Sequence, residues 1–285
     1  MVLDQACARV GLASRGAELI RMVDNAVFRI ARHQVVIRIS LTDRQHHRAK
    51  AAVTTAGLLA AHGVPAVAVL PEAPTPLQVR GHTVTFWQEV PDTGRQPRGT
   101  DLAGLLLRMH HLPTRDTGLP GWDPIGDLRD RLAATDAWDP TDVDFLLHRC
   151  DEVAARLAGL RYALPPGVVH GDAHLGNLIP TPGGAVLCDF DTTCIGPREW
   201  DLVPIAVGAL RVHRSPHTHQ RLAAAYGFDV TAWDGFPVLR ELRELQITGA
   251  VLPTAGANPS ISPELRRRLR CLRAGDTFTR WTAYR

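Results

Sequence analysis

The strongest constraint on the fold and function of this chain is a set of three polar residues placed around two short apolar runs. Asp172 and Asn177 stand five positions apart on a glycine-containing segment, and Asp189 directly follows the apolar run 185–188. A hairpin that joins the apolar runs can bring all three side chains to one point. The sequence therefore predicts a compact polar site built on a hairpin.

The residue types at this site suit phosphoryl transfer. One carboxylate, on Asp172, can orient an attacking hydroxyl and accept its proton. An amide and a second carboxylate, on Asn177 and Asp189, can hold Mg²⁺ against nucleotide phosphates, because Mg²⁺ prefers oxygen ligands. The spacing therefore indicates a nucleotide-dependent kinase site that uses Mg²⁺.

The same segment resembles the aminoglycoside phosphotransferase and choline kinase-like superfamily, whose members are relatives of the protein kinases. The resemblance implies ATP or GTP as co-substrate, Asp172 as the base, and Asn177 with Asp189 as metal ligands. It also implies that Asp201 supports the catalytic loop. His170 either supports this loop by hydrogen bonds, which is the favoured interpretation, or carries a proton. The matching residues, in chain order, are His170-Gly171-Asp172, Asn177, Asp189 and the run 196–202.

The remainder of the chain divides into a strand-rich part and a helix-rich part. A polar connector over 92–99 separates them. We therefore predict an α+β, protein-kinase-like fold with two lobes: residues 1–91 form a small β-rich nucleotide-binding lobe, and residues 92–285 form a larger, mostly helical lobe for catalysis and acceptor binding. The predicted elements are a hairpin of 26–30 and 35–39, a helix over 44–62, strands over 64–70 and 83–90, and helices over 102–111 and most of 127–160.

The expected phosphate ligand of the first lobe departs from the family pattern. Kinase-like enzymes hold nucleotide phosphates with a strand lysine that pairs with a glutamate on the following helix. Arg38 stands where that lysine is expected, and no acidic residue occurs between Asp43 and Glu72. Arginine is always charged and forms paired hydrogen bonds to phosphate, so Arg38 can take this role. Its ion-pair partner is either absent or supplied from outside the helix.

Two short segments are further candidates for nucleotide contacts. Asp24 and Asn25 precede the first hairpin strand; they form either a tight turn whose backbone amides touch phosphate or a plain start to the strand. By resemblance, the adenine or guanine base lies against Gln88-Glu89-Val90, whose backbone groups would recognise it.

The charge of one helical segment bears on the acceptor. From position 126 to 152, eight acidic residues stand against three arginines, a local net charge of −5. Such a segment either concentrates a cationic acceptor or forms ordinary solvated helix faces. His174 and Asp191 either face the substrate or satisfy nearby backbone groups. The candidate acceptor-binding residues are His174, Asp191, Asp127, Asp130, Asp144, Asp151 and Glu152.

Composition excludes several other classes of protein. The formal net charge of +3 is too small for a dedicated nucleic-acid binder, and no apolar run approaches the ~18 residues of a membrane span. The five cysteines are scattered, with no C-x-x-C pair, which is typical of a reducing cytoplasm. We expect a cytoplasmic monomer or dimer that binds a nucleoside triphosphate and a small cationic acceptor, and that binds neither nucleic acid nor a membrane.

These features together predict an ATP- or GTP-dependent phosphotransferase that phosphorylates a hydroxyl of a small cationic molecule. The favoured acceptor is an antibiotic, either an aminoglycoside or a basic cyclic peptide such as a tuberactinomycin, and the reaction would confer resistance. Two alternatives stay open. One is a metabolic kinase for an amino alcohol, homoserine or a sugar, and the other is a catalytically weak kinase-like protein that sequesters a ligand.

Overall fold

A computed structural model of the protein describes residues 1–22, 25–135, 138–212, 215–255, 258 and 260–284. Two residues that the predictions from sequence included lie outside the described residues. They are Asp24, a candidate for nucleotide contact, and Asp136, one of the eight acids of the segment 126–152.

The described elements agree with an α+β chain that begins strand-rich and becomes helical. The strands are β1 (Glu18–Met22), β2 (Asn25–Ile30), β3 (Val35–Ser40), β4 (Leu77–Val79), β5 (His82–Gln88), β6 (Gly167–Val169), β7 (Leu178–Thr181), β8 (Gly184–Leu187) and β9 (Cys194–Gly196). The helices are α1 (Val2–Arg9), α2 (Asp43–Ala61), α3 (Gly99–His110), α4 (Pro124–Ala133), α5 (Pro140–Ala158), α6 (Val203–Arg211), α7 (Pro216–Tyr226), α8 (Phe236–Gly249), α9 (Leu252–Ala255) and α10 (Ser262–Arg273).

The N-terminal strands form a five-stranded antiparallel sheet in the order β1–β2–β3–β5–β4. The predicted hairpin is present as β2 and β3, which pair in continuous register with Ile30 opposite Val35 and Val27 opposite Arg38. A short 3₁₀ turn joins the two strands and ends at Gln34, whose φ of 53° lies in the left-handed region. The predicted helix after the hairpin is α2.

Alternation along β3 decides which face of the sheet carries Arg38. Ile37 and Ile39 enter an apolar core that also contains Leu3 and Cys7 of α1. Successive side chains of a strand point to opposite faces, so Arg38 lies on the other face, which α2 covers. Two elements were not predicted from the sequence. One is α1, a helix of only eight residues, and the other is β1, an edge strand whose five residues are all exposed and lack alternating burial.

The prediction of a strand over 64–70 is wrong. The segment forms only two isolated bridges, one from Ala66 to Leu187 and one from Val69 to Trp87. It changes partner from β8 to β5 within three residues, so neither pairing becomes long enough to form a ladder. The segment therefore joins the β7–β8 hairpin to the N-terminal sheet through two isolated pairs of backbone hydrogen bonds. In one pair, Val67 N donates to Leu187 O at 2.9 Å and Leu187 N donates to Pro65 O at 3.0 Å.

The chain forms two compact units. The first comprises residues 1–121 and 166–196, and the second comprises residues 122–165 and 197–285. The first unit holds the five-stranded sheet, α1 to α3 and the β7–β8 hairpin, and it therefore contains all the residues from His170 to Asp191. The functional division at residue 91 into a nucleotide lobe and a catalytic lobe stays a prediction.

The second unit is helical and contains a buried network of charges. Arg211 is only 1% exposed and donates from Nε and Nη2 to the two carboxylate oxygens of Glu244, at 2.7 and 2.8 Å. Arg240 donates to the same carboxylate at 2.7 Å, and Arg211 also donates to Thr279 O at 2.7 Å. These bonds join α6, α8 and the C-terminal segment. Among the described residues, no helix has both the length and the apolar character needed to cross a membrane.

Candidate active site

The β7–β8 hairpin brings Asn177 and Asp189 to the same end of its ladder. The last regular pair joins Leu178 to Leu187. One step beyond it, Cys188 N donates to Asn177 O at 3.0 Å. Since Asp189 directly follows Cys188 in the chain, both predicted metal ligands lie where the hairpin opens into its flanking loops.

His170 is fully buried and binds two backbone groups of this site. Its Nε2 lies 3.0 Å from Cys188 O, and its Nδ1 lies 3.4 Å from Asp172 N. A carbonyl can only accept and an amide N–H can only donate, so the proton is assigned to Nε2 and Nδ1 is the acceptor. Both ring nitrogens are thereby used in holding the loop, which is the geometry of a supporting residue.

Gly171 has a steric role that sequence reasoning did not assign. Its φ of +83° lies in the left-handed region, and a Cβ at this position would lie 2.2 Å from Thr192 O. Thr192 Oγ1 in turn donates to His170 O at 3.1 Å. The close approach of the two backbone segments therefore requires glycine between His170 and Asp172.

The carboxylate of Asp172 is accessible while its backbone is held in place. Its side chain is 36% exposed, and its carbonyl accepts a hydrogen bond from Asn177 Nδ2 at 2.9 Å. His174 Nε2 lies 3.5 Å from Asp172 Oδ2. The arrangement leaves a carboxylate that a hydroxyl can reach, next to the second histidine of the loop.

Arg38 pairs with two carboxylates that follow β8. Its Nη2 lies 3.2 Å from Asp189 Oδ1 and 2.5 Å from Asp191 Oδ2. Asn25 Nδ2 donates to the same Asp191 oxygen at 3.1 Å. Asp189 has a φ of +67° and a side chain that is 31% exposed. The partners of Arg38 thus come from outside α2, and Asn25 and Asp191 lie together with it.

Burial and charge act in opposite directions on the groups around Arg38. Burial alone would lower the pKa of Arg38, but the charges of Asp191 and Asp189 raise it above its usual value. Burial raises the pKa of Asp191, although Arg38 and, more weakly, Arg48 lower it. Burial and the charge of Asp189 raise the pKa of the Cys188 thiol to about 12. Arg38 therefore stays cationic, and Cys188 stays a thiol and is no nucleophile near neutral pH.

A small polar cavity adjoins the Arg38–Asp191 pair. Strand residues line one side of it, and α2 contributes only two alanines, so no side chain from the described part of this helix reaches Arg38 through the cavity. The lining residues are Asn25, Arg38, Ser40, Ala49, Ala52, Thr83, Thr85 and Asp191.

The segment predicted to contact the base already uses some of its backbone groups. Gln88 N donates to Ala68 O at 2.9 Å, and Glu89 N donates to Gln34 O at 2.8 Å. The Glu89 carboxylate accepts from Arg29 Nε at 2.6 Å. A base at this segment would therefore use its carbonyl groups or the N–H of the residue after Glu89.

The candidate acceptor residues of the segment 126–152 lie on helices of the second unit. Arginines pair with two of them, Arg129 with Asp151 and Arg149 with Glu152. These pairs reduce the negative field that the composition of the segment predicts. Asp201 also lies in the second unit, fully buried in a 3₁₀ turn. The candidates on these helices are Asp127, Asp130, Asp144, Asp151 and Glu152, of which Asp130, Asp144 and Asp151 are exposed.

The donor set near the hairpin fits a magnesium ion that is shared with phosphate. Among the described residues, no three His, Cys, Asp or Glu side chains form a complete metal site. Asn177 and Asp189 supply one amide and one carboxylate oxygen group at the same end of the hairpin. Mg²⁺ is commonly held by one or two carboxylates together with substrate phosphates and water, so these two residues suit it.

Comparison with known proteins identifies a family. Residues 18–242 match the profile of the family described as "Phosphotransferase enzyme family". No curated protein matches the chain. The choline/ethanolamine kinase family protein from Mesorhizobium loti has a similar structure, with a TM-score of 0.62 at 18% identity; the match covers 96% of this chain and 94% of that one.

Two solved structures with bound ligands are also similar. The amicoumacin kinase hAmiN in complex with AMP-PNP, Ca²⁺ and Ami has a TM-score of 0.65 at 15% identity, over 93% of this chain and 90% of that one. A spectinomycin phosphotransferase in complex with ADP and spectinomycin has a TM-score of 0.63 at 16% identity, over 94% and 93%. At these identities the likeness establishes a shared kinase-like fold, and it agrees with the fold predicted from the sequence.

Proposed function

This chain belongs to the phosphotransferase enzyme family and is a small-molecule phosphotransferase, and on that basis we propose that it transfers the γ-phosphoryl group of ATP or GTP to a hydroxyl of a small cationic molecule. The favoured acceptor is an antibiotic, an aminoglycoside or a basic cyclic peptide of the tuberactinomycin kind. Phosphorylation of such a compound would confer resistance, and we place the reaction in the cytoplasm, in a monomer or a dimer.

The observation that carries this proposal is the accessible carboxylate of Asp172 on a loop that His170 and Asn177 hold by hydrogen bonds. In the transfer, a bond forms between the acceptor oxygen and the γ-phosphorus as the bond to the bridging oxygen of the nucleotide breaks. Asp172 accepts the proton of the hydroxyl, and the nucleoside diphosphate leaves with the electron pair of the broken bond.

The nucleotide phosphates would be held by Arg38, whose guanidinium suits paired hydrogen bonds to phosphate oxygens. Asn177 and Asp189 would hold Mg²⁺, which supplies positive charge against the phosphates. AMP-PNP and ADP in two similar structures support a nucleotide co-substrate. His170 acts by keeping Asp172 in position and takes no part in proton transfer.

Two observations support a cationic acceptor. Asp130 and Asp144 are exposed on α4 and α5, within a segment whose formal charge is −5. Among the similar structures, one protein binds spectinomycin and another belongs to a choline/ethanolamine kinase family. The second of these favours an alternative acceptor, an amino alcohol, in a metabolic kinase.

The first experiment measures the release of nucleoside diphosphate with Mg²⁺ and ATP or GTP. The acceptor panel contains aminoglycosides, tuberactinomycins, choline, ethanolamine, homoserine and simple sugars. We expect one cationic acceptor to stimulate release, and we expect Asp172→Asn to lower turnover by on the order of 10²- to 10⁴-fold, because the positioned base is lost. Glu72→Gln, which neutralises an exposed carboxylate in a turn, is the matched control and should keep full activity.

Two results would contradict this proposal. Full turnover in Asp172→Asn would remove the assigned base. The absence of both stimulation by any acceptor and binding of Mg²⁺-nucleotide would favour the sequestering protein instead. Stimulation by homoserine or a sugar alone would keep the phosphotransferase and reject the cationic acceptor.

A further inference from the structure

The charge of Arg38 is balanced from an unexpected part of the chain. In the kinase-like arrangement, a glutamate on the helix after the hairpin positions the phosphate-binding cation. Here we propose that Asp191 takes over that task and is the positioning residue that holds Arg38 toward the nucleotide phosphates. The inference rests on the proposed function, because it concerns the nucleotide site of the same reaction.

The contact geometry favours Asp191 over Asp189 as the lasting partner of Arg38. The distance from Arg38 Nη2 is 2.5 Å to Asp191 and 3.2 Å to Asp189. The side chains of Arg38 and Asp191 are 17% and 16% exposed, whereas that of Asp189 is 31% exposed. A short contact between two mostly buried groups is stronger than one open to water. Asp189 is thus the carboxylate left accessible for a metal ion.

From residue 46 to its end at Ala61, α2 contains no acidic residue. Its residues on the cavity beside Arg38 are Ala49 and Ala52, and Lys50 is exposed. Arg48 of the same helix adds a second positive charge that acts on Asp191. The part of α2 whose side chains are described therefore carries positive charge where the kinase-like arrangement has a glutamate, and within that part Arg38 finds no carboxylate.

Two further hydrogen bonds connect Asp191 to the rest of the site. Asn25 Nδ2 donates to the Asp191 oxygen that Arg38 binds, which fixes the orientation of the carboxylate. The next residue, Thr192, donates from Oγ1 to His170 O at 3.1 Å. Asp191 therefore connects Arg38, the proposed phosphate ligand, to the loop that carries Asp172, the proposed base.

The test compares Mg²⁺–ATP affinity, measured by calorimetry, in the wild type and in Asp191→Asn. The asparagine keeps an oxygen for the hydrogen bond from Asn25 and removes the charge. We expect the Kd to rise roughly ten- to hundredfold, the range for losing a hydrogen bond between charged groups. The KM for the acceptor should stay unchanged, because the lost contact is made on the nucleotide side.

A rescue experiment separates positioning from general structural support. Ala49→Glu or Ala52→Glu, combined with Asp191→Asn, returns a carboxylate to the cavity, and these positions lie three apart on one face of α2. We expect at least one glutamate to restore most of the nucleotide affinity. Ala49→Gln and Ala52→Gln in the same background are the neutral controls and should restore none. If Asp191→Asn does not fold, the paired glutamate and glutamine variants are compared with each other instead.

The outcomes distinguish this inference from the proposed function. If the wild-type protein neither binds Mg²⁺-nucleotide nor phosphorylates any acceptor, both the proposed function and this inference are wrong. If the wild type is functional, two results would overturn the role of Asp191 and leave the proposed function intact. One is a nucleotide Kd that Asp191→Asn does not change. The other is a loss of nucleotide affinity that glutamate at position 49 or 52 restores no better than glutamine does. A larger change in the acceptor KM than in the nucleotide Kd would also overturn it and would assign Asp191 to the acceptor.

Discussion

At the scale of single residues, two left-handed backbone conformations shape the candidate site. Gly171 has a φ of +83°, and Asp189 has a φ of +67°. Glycine adopts this region without steric penalty, and aspartate is one of the few other residues that tolerate it. Asp189 could be identified from the sequence by its chemistry, but its backbone conformation is known only from the structure.

Substitution of Gly171 tests how closely the catalytic loop approaches its neighbour. Gly171→Ala should destabilise the fold by roughly 2–4 kcal/mol, because the new methyl group meets Thr192 O at 2.2 Å in a strained conformation. The matched control is Gly81→Ala, which has a φ of +80° and no atom within 4 Å of the added Cβ. The control should lose only about 1–2 kcal/mol. Equal losses in urea-induced unfolding would mean that the backbone moves to relieve the close contact.

At the scale of elements, ion pairs between residues far apart in the sequence hold helices of the second unit against one another. Glu244 on α8 accepts hydrogen bonds from Arg211 at the end of α6 and from Arg240 on its own helix. On α5, Asp142 pairs with Arg273 of α10. The acidic segment 126–152 is therefore partly a structural surface, which the count of its charges did not indicate.

The buried pair makes a stability prediction for α6 and α8. Glu244→Ala should lower the free energy of unfolding by roughly 3–5 kcal/mol, because Arg211 would remain buried without its carboxylate. Asp151→Ala, which breaks the exposed pair with Arg129, should cost less than about 1 kcal/mol. Denaturant unfolding followed by circular dichroism measures both. A loss below 1 kcal/mol in Glu244→Ala would show that water or a neighbouring group replaces the carboxylate.

At the scale of the whole molecule, nucleotide binding should stabilise the folded chain by mass action. With Mg²⁺–ATP at about 100 times its Kd, the gain is about 2.7 kcal/mol, which is readily seen as a rise in Tm. In Asp189→Asn, the Mg²⁺-dependent part of the increase in Tm should disappear. In the control Glu72→Gln, the full increase should remain. Scanning calorimetry with Mg²⁺ and with EDTA provides the comparison. A Mg²⁺-dependent rise that persists in Asp189→Asn would remove this residue from the proposed metal site.

Much of the fold could be predicted because its signals are local. The β2–β3 hairpin, α2 and the β7–β8 hairpin each follow from a run of residues with one periodicity and a turn. The order Asp172, Asn177, Asp189 spans fewer than twenty residues. The kinase-like fold and the family were therefore predictable from the sequence. The structure of the segment 64–70 could not be predicted, because a strand-like composition does not show that the neighbouring strand changes from β8 to β5 along the segment.

The sequence by itself determined the chemistry available to this protein: a carboxylate, an amide and a second carboxylate on a hairpin, and an arginine where a lysine is expected. Only the tertiary structure decided what Arg38 contacts. Its partners, Asp189 and Asp191, lie 151 and 153 positions away along the chain. No local pattern encodes such a pair, because its energy depends on the distance and burial that folding creates and not on spacing in sequence.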